Sequence, residues 1–298
     1  MRGEKEVPQE KHFWSRTFNG FNYIFLSCVA FLAIAPFVYI VACSFATEQE
    51  ILQKGFILFP TQFTLDGYKY IFSTPVIFRS LMVSILITIV GTFINLLLTS
   101  LMAYPLSRKD MLGRQKVMFL IVFSMLFSGG MIPTFLVVKA VGLLDSYWSL
   151  ILPGAINAFN LIVLRNFFQQ LPDGLEEAAK MDGCNDLLIL FRIVLPLSMP
   201  ALVTFGLFYA VGHWNSYFSA IMFINDASMW PVQVLLRQIV IMSQSGVGDA
   251  DSLSNAASIS AQTIKMATIV ISTLPILMVY PFLQKHFAKG VLLGSVKG

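Results

Sequence analysis

Charge is scarce in this chain of 298 residues: Asp, Glu, Lys and Arg make up 12% of it, while 56% is apolar. Soluble domains carry about 25% charged residues to cover their surface, so a water-soluble globular fold is excluded. Cysteine and histidine are scarcer still, at three each. Cys28, Cys43 and Cys184 are an odd number without metal or redox spacing, and two of them lie in apolar runs, where they read as small hydrophobes. His12, His213 and His286 are too scattered to form a metal site. No Gly-Lys dipeptide occurs, so there is no Walker A loop to cradle phosphates. The sequence therefore offers no catalytic constellation, no metal ligands and no nucleotide site, and it implies no nucleic-acid partner.

What the chain has in abundance is long apolar runs. Six stand out, at residues 21–45, 76–104, 117–138, 147–164, 197–224 and 264–283. About 20 apolar residues cross a bilayer as a helix. The runs are continuous and not alternating, which disfavours a β-barrel. The expectation is an all-α polytopic membrane protein with six transmembrane helices, the first serving as an uncleaved insertion signal.

Lys and Arg divide unevenly between the two sides. Arg2, Lys5, Lys11 and Arg16, then Arg108, Lys109, Arg114 and Lys116, then Arg165, Lys180 and Arg192, then Lys285, Lys289 and Lys297 fall on one side. Lys54, Lys69, Lys139 and Arg237 fall on the other, and Arg79 and Lys265 sit at helix mouths and count for neither side. The positive-inside rule then puts both termini in the cytoplasm. Two outer segments are long, residues 46–75 and 225–263; the second holds a Gly- and Ser-rich tip with Ser245, Gly246, Gly248 and Asp249. Loops of such length are more often functional than idle, and this tip is a candidate partner contact. Pro36, Gly129, Gly130, Pro133, Pro200, Pro275 and Pro281 interrupt the spans and predict bent helices.

Between the fourth and fifth runs lies a charged insert, "LPDGLEEAAKMDGCNDLLILFRIVLP", residues 171–196. Pro172 breaks the preceding helix. Asp173 reads as an N-cap with Glu176 completing a capping box, and the two glutamates suit the positive end of the helix dipole. Leu175, Ala178 and Ala179 follow helical spacing and form one small apolar face. Gly183 supplies the φ > 0 that ends the helix, and Asp186 starts a second one that Pro196 closes. This helix is too polar to insert, so it belongs on the cytoplasmic surface. It would pack there on its own chain or dock into a cytoplasmic partner; the residues alone favour neither.

The insert resembles the EAA loop of binding-protein-dependent ABC importers. Glu177, Ala178, Ala179, Gly183, Ile193, Leu195 and Pro196 meet the spacing EAAxxxGx9IxLP at every position. "FTLDGYKYIF", "LMAYPLSR", "HWNSYFSAIMFI" and "FAKGVLLGSVKG" are similar to segments of sugar-importer permeases of the maltose-importer type, although Gly67 stands where Asn is usual. The stretch from Phe127 to Ile156 resembles the subgroup importing complex oligosaccharides, including uronate-containing ones such as alginate or pectin fragments.

The resemblance implies a single transmembrane domain over residues 1–298. Its core spans cover 76–283, and the coupling loop is 171–196. It implies a second permease subunit, two cytoplasmic ATPase subunits that hold ATP and Mg, and an extracytoplasmic solute-binding protein that delivers an oligosaccharide across the bacterial inner membrane. Leu175, Glu176, Glu177, Ala178, Ala179, Asp182 and Gly183 would couple to the ATPase. Trp214, Asn215 and Tyr217 are the candidate substrate contacts, because polar groups in a span face the bundle interior. A permease for another solute class is the nearest alternative. A secondary transporter or channel would carry acidic residues in its spans, which are nearly free of Asp and Glu here; a membrane-embedded enzyme would need a cluster of which only His213 is present.

Overall fold

The computed structural model describes residues 9–127, 129–245 and 261–295. Among these residues regular structure is helical, apart from one isolated bridge between Ala46 and Phe63. In chain order the helices are α1 (Gln9–Ser44), α2 (Glu48–Lys54), α3 (Asp66–Ser73), α4 (Pro75–Ser107), α5 (Arg114–Leu126), α6 (Met131–Ala140), α7 (Trp148–Ile151), α8 (Ala158–Phe168), α9 (Asp173–Met181), α10 (Asp186–Ile189), α11 (Leu195–Leu197), α12 (Met199–Trp214), α13 (Phe218–Phe223), α14 (Val232–Ser245) and α15 (Ala261–Ser295).

Three stretches are long and apolar enough to cross a membrane: Phe18–Ser44, Pro75–Ser107 and Gln262–Val279. Two bent pairs, α5 with α6 and the Asp186–Leu197 segment with α12, raise the number to five by length and composition. Among the described residues three to five of the six expected crossings are thus carried by long apolar helices or bent pairs, and Ala158–Phe168 and Val232–Ile241 are shorter apolar helices. The fourth run divides into α7 and α8 because Pro153 and Gly154 interrupt it, and Asn157 restarts the helix by accepting from Asn160 N through its side chain. The fifth run divides at Asn215 into α12 and α13. The bend before α12 is 86° and falls at Ser198. Just ahead of it Leu190–Val194 is π-helical. Pro196 explains the anomaly: it has no N–H for the carbonyl four residues back, and its ring crowds that carbonyl.

The chain forms two compact units. One contains the described residues up to Ile71 and 261–270. Its core is Ala42, Cys43, Ala46, Ile57 and Met266, with Phe45 stacked on Phe63 and on Tyr68. Glu50 is buried there and accepts from Thr61 N at 2.8 Å, Gln62 N at 3.0 Å, Thr61 Oγ1 and Lys54 Nζ. Those donors, the Thr61 amide first, hold its carboxyl down to about 2. Gly67, the departure from the resembled motif, packs so closely on α15 that a Cβ would lie 3.2 Å from Thr263 Cγ2.

The other unit contains 72–127, 129–245 and 271–295. Its axis is α4, which packs on α8 and α12 and contacts α7 and α14. One core, with Leu106, Leu164, Phe168, Ile189, Val194 and Phe205, surrounds the end of α4 that carries Arg108. A second, with Ile87, Val138, Ile151, Phe223 and Val234, surrounds its other half. The long segment after Asn225 is only partly a loop: Val232–Ser245 is helical, with Val232 and Val234 buried and Val232 N donating to Ser84 Oγ at 2.8 Å. Its apolar residues recur at helical spacing, a signal that a reading based on segment length passes over.

Candidate functional site

The buried side of α4 is a polar stripe. Ser80, Ser84, Thr88, Asn95 and Thr99 follow one another three or four residues apart or at multiples of that spacing, so they share one face of an otherwise apolar helix. In a bilayer such groups must find partners inside the bundle. Asn95 Nδ2 meets His213 Nε2 at 3.0 Å and donates to Gly154 O at 3.4 Å. Thr99 Oγ1 bonds the Tyr209 hydroxyl at 2.7 Å, and that hydroxyl also accepts from Asn157 N at 3.1 Å. Gly91 permits the first of these contacts. A Cβ there would stand 2.6 Å from His213 Nε2, so only glycine lets the imidazole lie against α4.

These bonds brace one wall of a cleft of 590 Å³, within the range of ligand sites. Asn95, Asn157, Asn160, Asn215 and Ser216 line it with polar side chains; Phe159, Phe208, Tyr209, Tyr217 and Phe218 line it with rings. No Lys, Arg, Asp or Glu is among the lining residues. Asn95 Oδ1 is buried behind that wall and has no hydrogen-bond partner among the described residues. Amides beside ring faces suit a polyhydroxylated ligand: amides exchange hydrogen bonds with hydroxyls, and rings cover the apolar C–H faces. Outside the cleft lining, Asp145 Oδ1 accepts from Asn225 N at 2.5 Å and Asp226 N at 3.3 Å, and its Oδ2 accepts from Asn225 Nδ2 at 3.0 Å. Those donors, the Asn225 side chain first, hold the Asp145 carboxyl below its ordinary range. Asp145 N in turn donates to Phe223 O at 2.9 Å, which ties the turn before α7 to the end of α13.

Of the three pathway candidates, the structure brings Asn215 and Tyr217 to this cleft. Asn215 closes α12 with Nδ2 on Val211 O at 2.9 Å, and Tyr217 carries the Arg237 guanidinium 4.5 Å above its ring. Trp214 faces elsewhere. It is buried, its indole donates to Ser272 O at 3.0 Å, and it lines a separate apolar cavity with Ile85, Leu207 and Pro275. Asn95, Asn157, Asn160 and Tyr209 were not singled out by the sequence reading, although the spacing of polar residues along α4 marks the stripe.

At the other end of α4 sits the EAA insert. α9 starts at Asp173, with Pro172 at the cap position, one residue ahead of the expected cap. Glu176 instead turns inward and pairs with Arg108, whose guanidinium lies 4.4 Å over the Tyr104 ring. Ala179, three residues on, is buried beside it, whereas Leu175, Glu177, Ala178 and Asp182 are exposed. Leu175, Ala178 and Ala179 lie three and four residues apart on α9, but of the three only Ala179 is buried. A charge goes in and Met181 stays 90% exposed, because Arg108 at the end of α4 supplies the partner that a buried carboxylate requires.

The C-terminus of α9 follows the sequence reading. Gly183 has φ 80°, its N–H bonds Lys180 O at 3.0 Å, and Cys184 N bonds Ala179 O at 3.0 Å, the two bonds of a Schellman turn. Lys180 also reaches Asp186 at 3.4 Å. Ser245 is the last residue of α14; Gly246, Gly248 and Asp249 lie outside the described residues.

The family of binding-protein-dependent transport system inner membrane components matches residues 10–293. The chain is 61% identical to the polygalacturonan/rhamnogalacturonan transport system permease protein YtcP of Bacillus subtilis, over 95% of this chain and 99% of that one. It is 58% identical to protein LplC of the same organism, over 95% and 96%. Among solved structures, a chain of a bacterial ABC transporter involved in the import of the acidic polysaccharide alginate superposes with a TM-score of 0.86 at 32% identity, covering 96% of this chain and 100% of that chain.

Proposed function

The chain belongs to the binding-protein-dependent transport system inner membrane components, and from that premise we propose that it is a permease subunit of an ATP-driven oligosaccharide importer whose substrate is a pectin-derived, uronate-containing fragment. The observation that carries this reading is the amide- and ring-lined cleft braced by the polar stripe of α4. The kinship with a polygalacturonan/rhamnogalacturonan permease supports the substrate class.

In this reading the cleft is this chain's share of a pathway formed with a second permease. Sugar hydroxyls bond Asn157, Asn215 and Ser216 in turn, and weak, repeated bonds of this kind let the ligand move on. The exposed face of α9, with Leu175, Glu177, Ala178 and Asp182, docks into a cytoplasmic ATPase subunit: Glu177 meets basic groups, and Ala178 allows close approach. Gly183 sets the corner that points this face away from the bundle. ATP and Mg belong to the partner, and the chain itself has no chemical step to perform. Both termini are cytoplasmic, and the segment around Ser245 to Asp249 meets an extracytoplasmic binding protein.

The test is purification of the native complex, identification of its chains by mass spectrometry, and uptake of trigalacturonate into proteoliposomes. Co-purification of an ATPase with ATP-dependent uptake is the expected result. Absence of any ATPase overturns the importer reading; uptake of neutral trisaccharides in preference to trigalacturonate overturns only the substrate.

A further inference from the structure

The EAA helix touches the bundle through a charged contact that the exposed docking face does not explain. Glu176 is buried, at 7% exposure, and its partner Arg108 is the first residue after α4. Tyr104, one turn earlier on α4, is buried as well and forms the floor under the guanidinium. The same end of α4 is held from a second direction. Arg165 Nε donates to Leu106 O at 2.9 Å, and Gln169 Nε2 donates to Ser107 O at 3.2 Å. Arg114 Nη1 donates to Arg108 O at 3.1 Å. Successive carbonyls that a helix end leaves free are thus taken up by α8 and by the start of α5.

We propose that the Arg108–Glu176 pair is the mechanical link between the EAA helix and the cleft: it makes α9 and α4 move as one body, so that displacement of α9 shifts Asn95 at the cleft wall and Thr99, which holds the lining Tyr209 from behind. This rests on the reading of α9 as the ATPase contact and adds what lies between that contact and the pathway. The geometry supports a rigid lever. From Arg108 to Asn95 is thirteen residues of helix, about 20 Å at 1.5 Å per residue, with Pro105 the only proline inside α4 and close to the latched end. An ion pair is suited to this task where an apolar contact is not. A buried carboxylate separated from its cation is strongly disfavoured, so α9 cannot slide off α4 as one greasy surface slides over another. The Tyr104 ring and the bonds from Arg165 and Gln169 keep the Arg108 end in place while α9 is pushed. Arg108 and Glu176 are accordingly positioning residues, with no contact to sugar or nucleotide.

The test uses the whole complex with its ATPase subunits, with all native cysteines replaced and one cysteine introduced at Ser219 in the cleft. The rate of its reaction with a maleimide is measured without nucleotide and after trapping with ATP and vanadate, so no sugar is needed. The unmodified pair should give a labelling rate that responds to trapping. Arg108→Ala and Glu176→Gln should reduce that response by about 2- to 30-fold, the range for mutations along a coupling path, while the exposed Glu177→Gln should weaken ATPase binding instead. The reversed pair, R108E with E176R, should restore the response. Should the single variants fail to assemble, recovery of assembly and response by the reversed pair still supports the link. A full response in either single variant, or no recovery in the reversed pair, overturns it. If trapping does not alter labelling even with Arg108 and Glu176 intact, the coupling role of α9 fails instead, and the two failures are told apart.

Discussion

Gly91 gives the sharpest test of how the cleft is built. Substituting Ala places a methyl carbon 2.6 Å from His213 Nε2 and 2.8 Å from two ring carbons. Ordinary contact begins near 3.4 Å, so the imidazole must retreat by about 0.8 Å or α12 must lift from α4. The ring is not the loose end of a flexible chain, since it is buried and bonded to Asn95 at 3.0 Å. Overpacking of this kind costs about 1–3 kcal/mol. Loss of the Asn95 bond inside the bundle adds about 1–3 kcal/mol if the groups are left unpaired. Against these stands the about 0.5–1 kcal/mol that Ala gains over Gly within a helix. The balance is a destabilisation of about 1–5 kcal/mol, with the Asn95 amide displaced at the cleft wall. Gly212 is the control: it lies next to His213 on α12 with open space around it, so G212A should be neutral or mildly stabilising. The assay is the midpoint of thermal inactivation of the purified complex, together with uptake. G91A should lower both, and G91A with H213A should recover stability because the overlapping ring is gone. A G91A protein as stable as its parent would refute the reasoning.

Three further outcomes follow from the geometry. Gly183→Val must hold a β-branched residue at φ 80°, which costs about 1–2 kcal/mol; ATPase co-purification should fall, and normal ATP-dependent uptake would contradict the assignment. Glu50 has its carboxyl held at about 2 against an ordinary 4.5, so its stabilisation is complete above pH 4.5 and is lost as pH falls toward 2. The protection factors of the Thr61 and Gln62 amides, taken against the intrinsic exchange rate at each pH, should hold at pH 5 and fall below 4.5, and Glu50→Gln should lower them at pH 5 and above; protection in that variant as high as in its parent would count against the latch. For topology, a single cysteine at the exposed Gln53 should react with an impermeant thiol reagent from outside, whereas cysteines at Lys109 and Lys180 should not. Labelling of Lys180→Cys from outside would reverse the orientation.

Much of this molecule is set by chain composition and local rules. Runs of about 20 apolar residues with few charges demand helices in lipid whatever surrounds them, and three such helices form. Gly183 ends α9 at positive φ because the turn is local: the residues its two bonds join are three and five apart, and glycine alone meets no steric cost there. The EAA spacing is legible for the same reason. What the sequence could not settle depends on contacts between distant segments. Glu176 and Glu177 are adjacent and identical, yet one is buried and one exposed, because Arg108, 68 positions earlier, is brought against α9 by the fold. His213 was a lone histidine in a span until α4 presented Gly91 and Asn95 to it. Trp214 and Asn215 are neighbours in sequence, but at 100° per residue one turns to Ser272 and the other to the cleft. Local chemistry determines which segments are helices and where they stop; packing decides which side of each helix meets its partner, and a polar side chain in lipid acquires its role only from that partner.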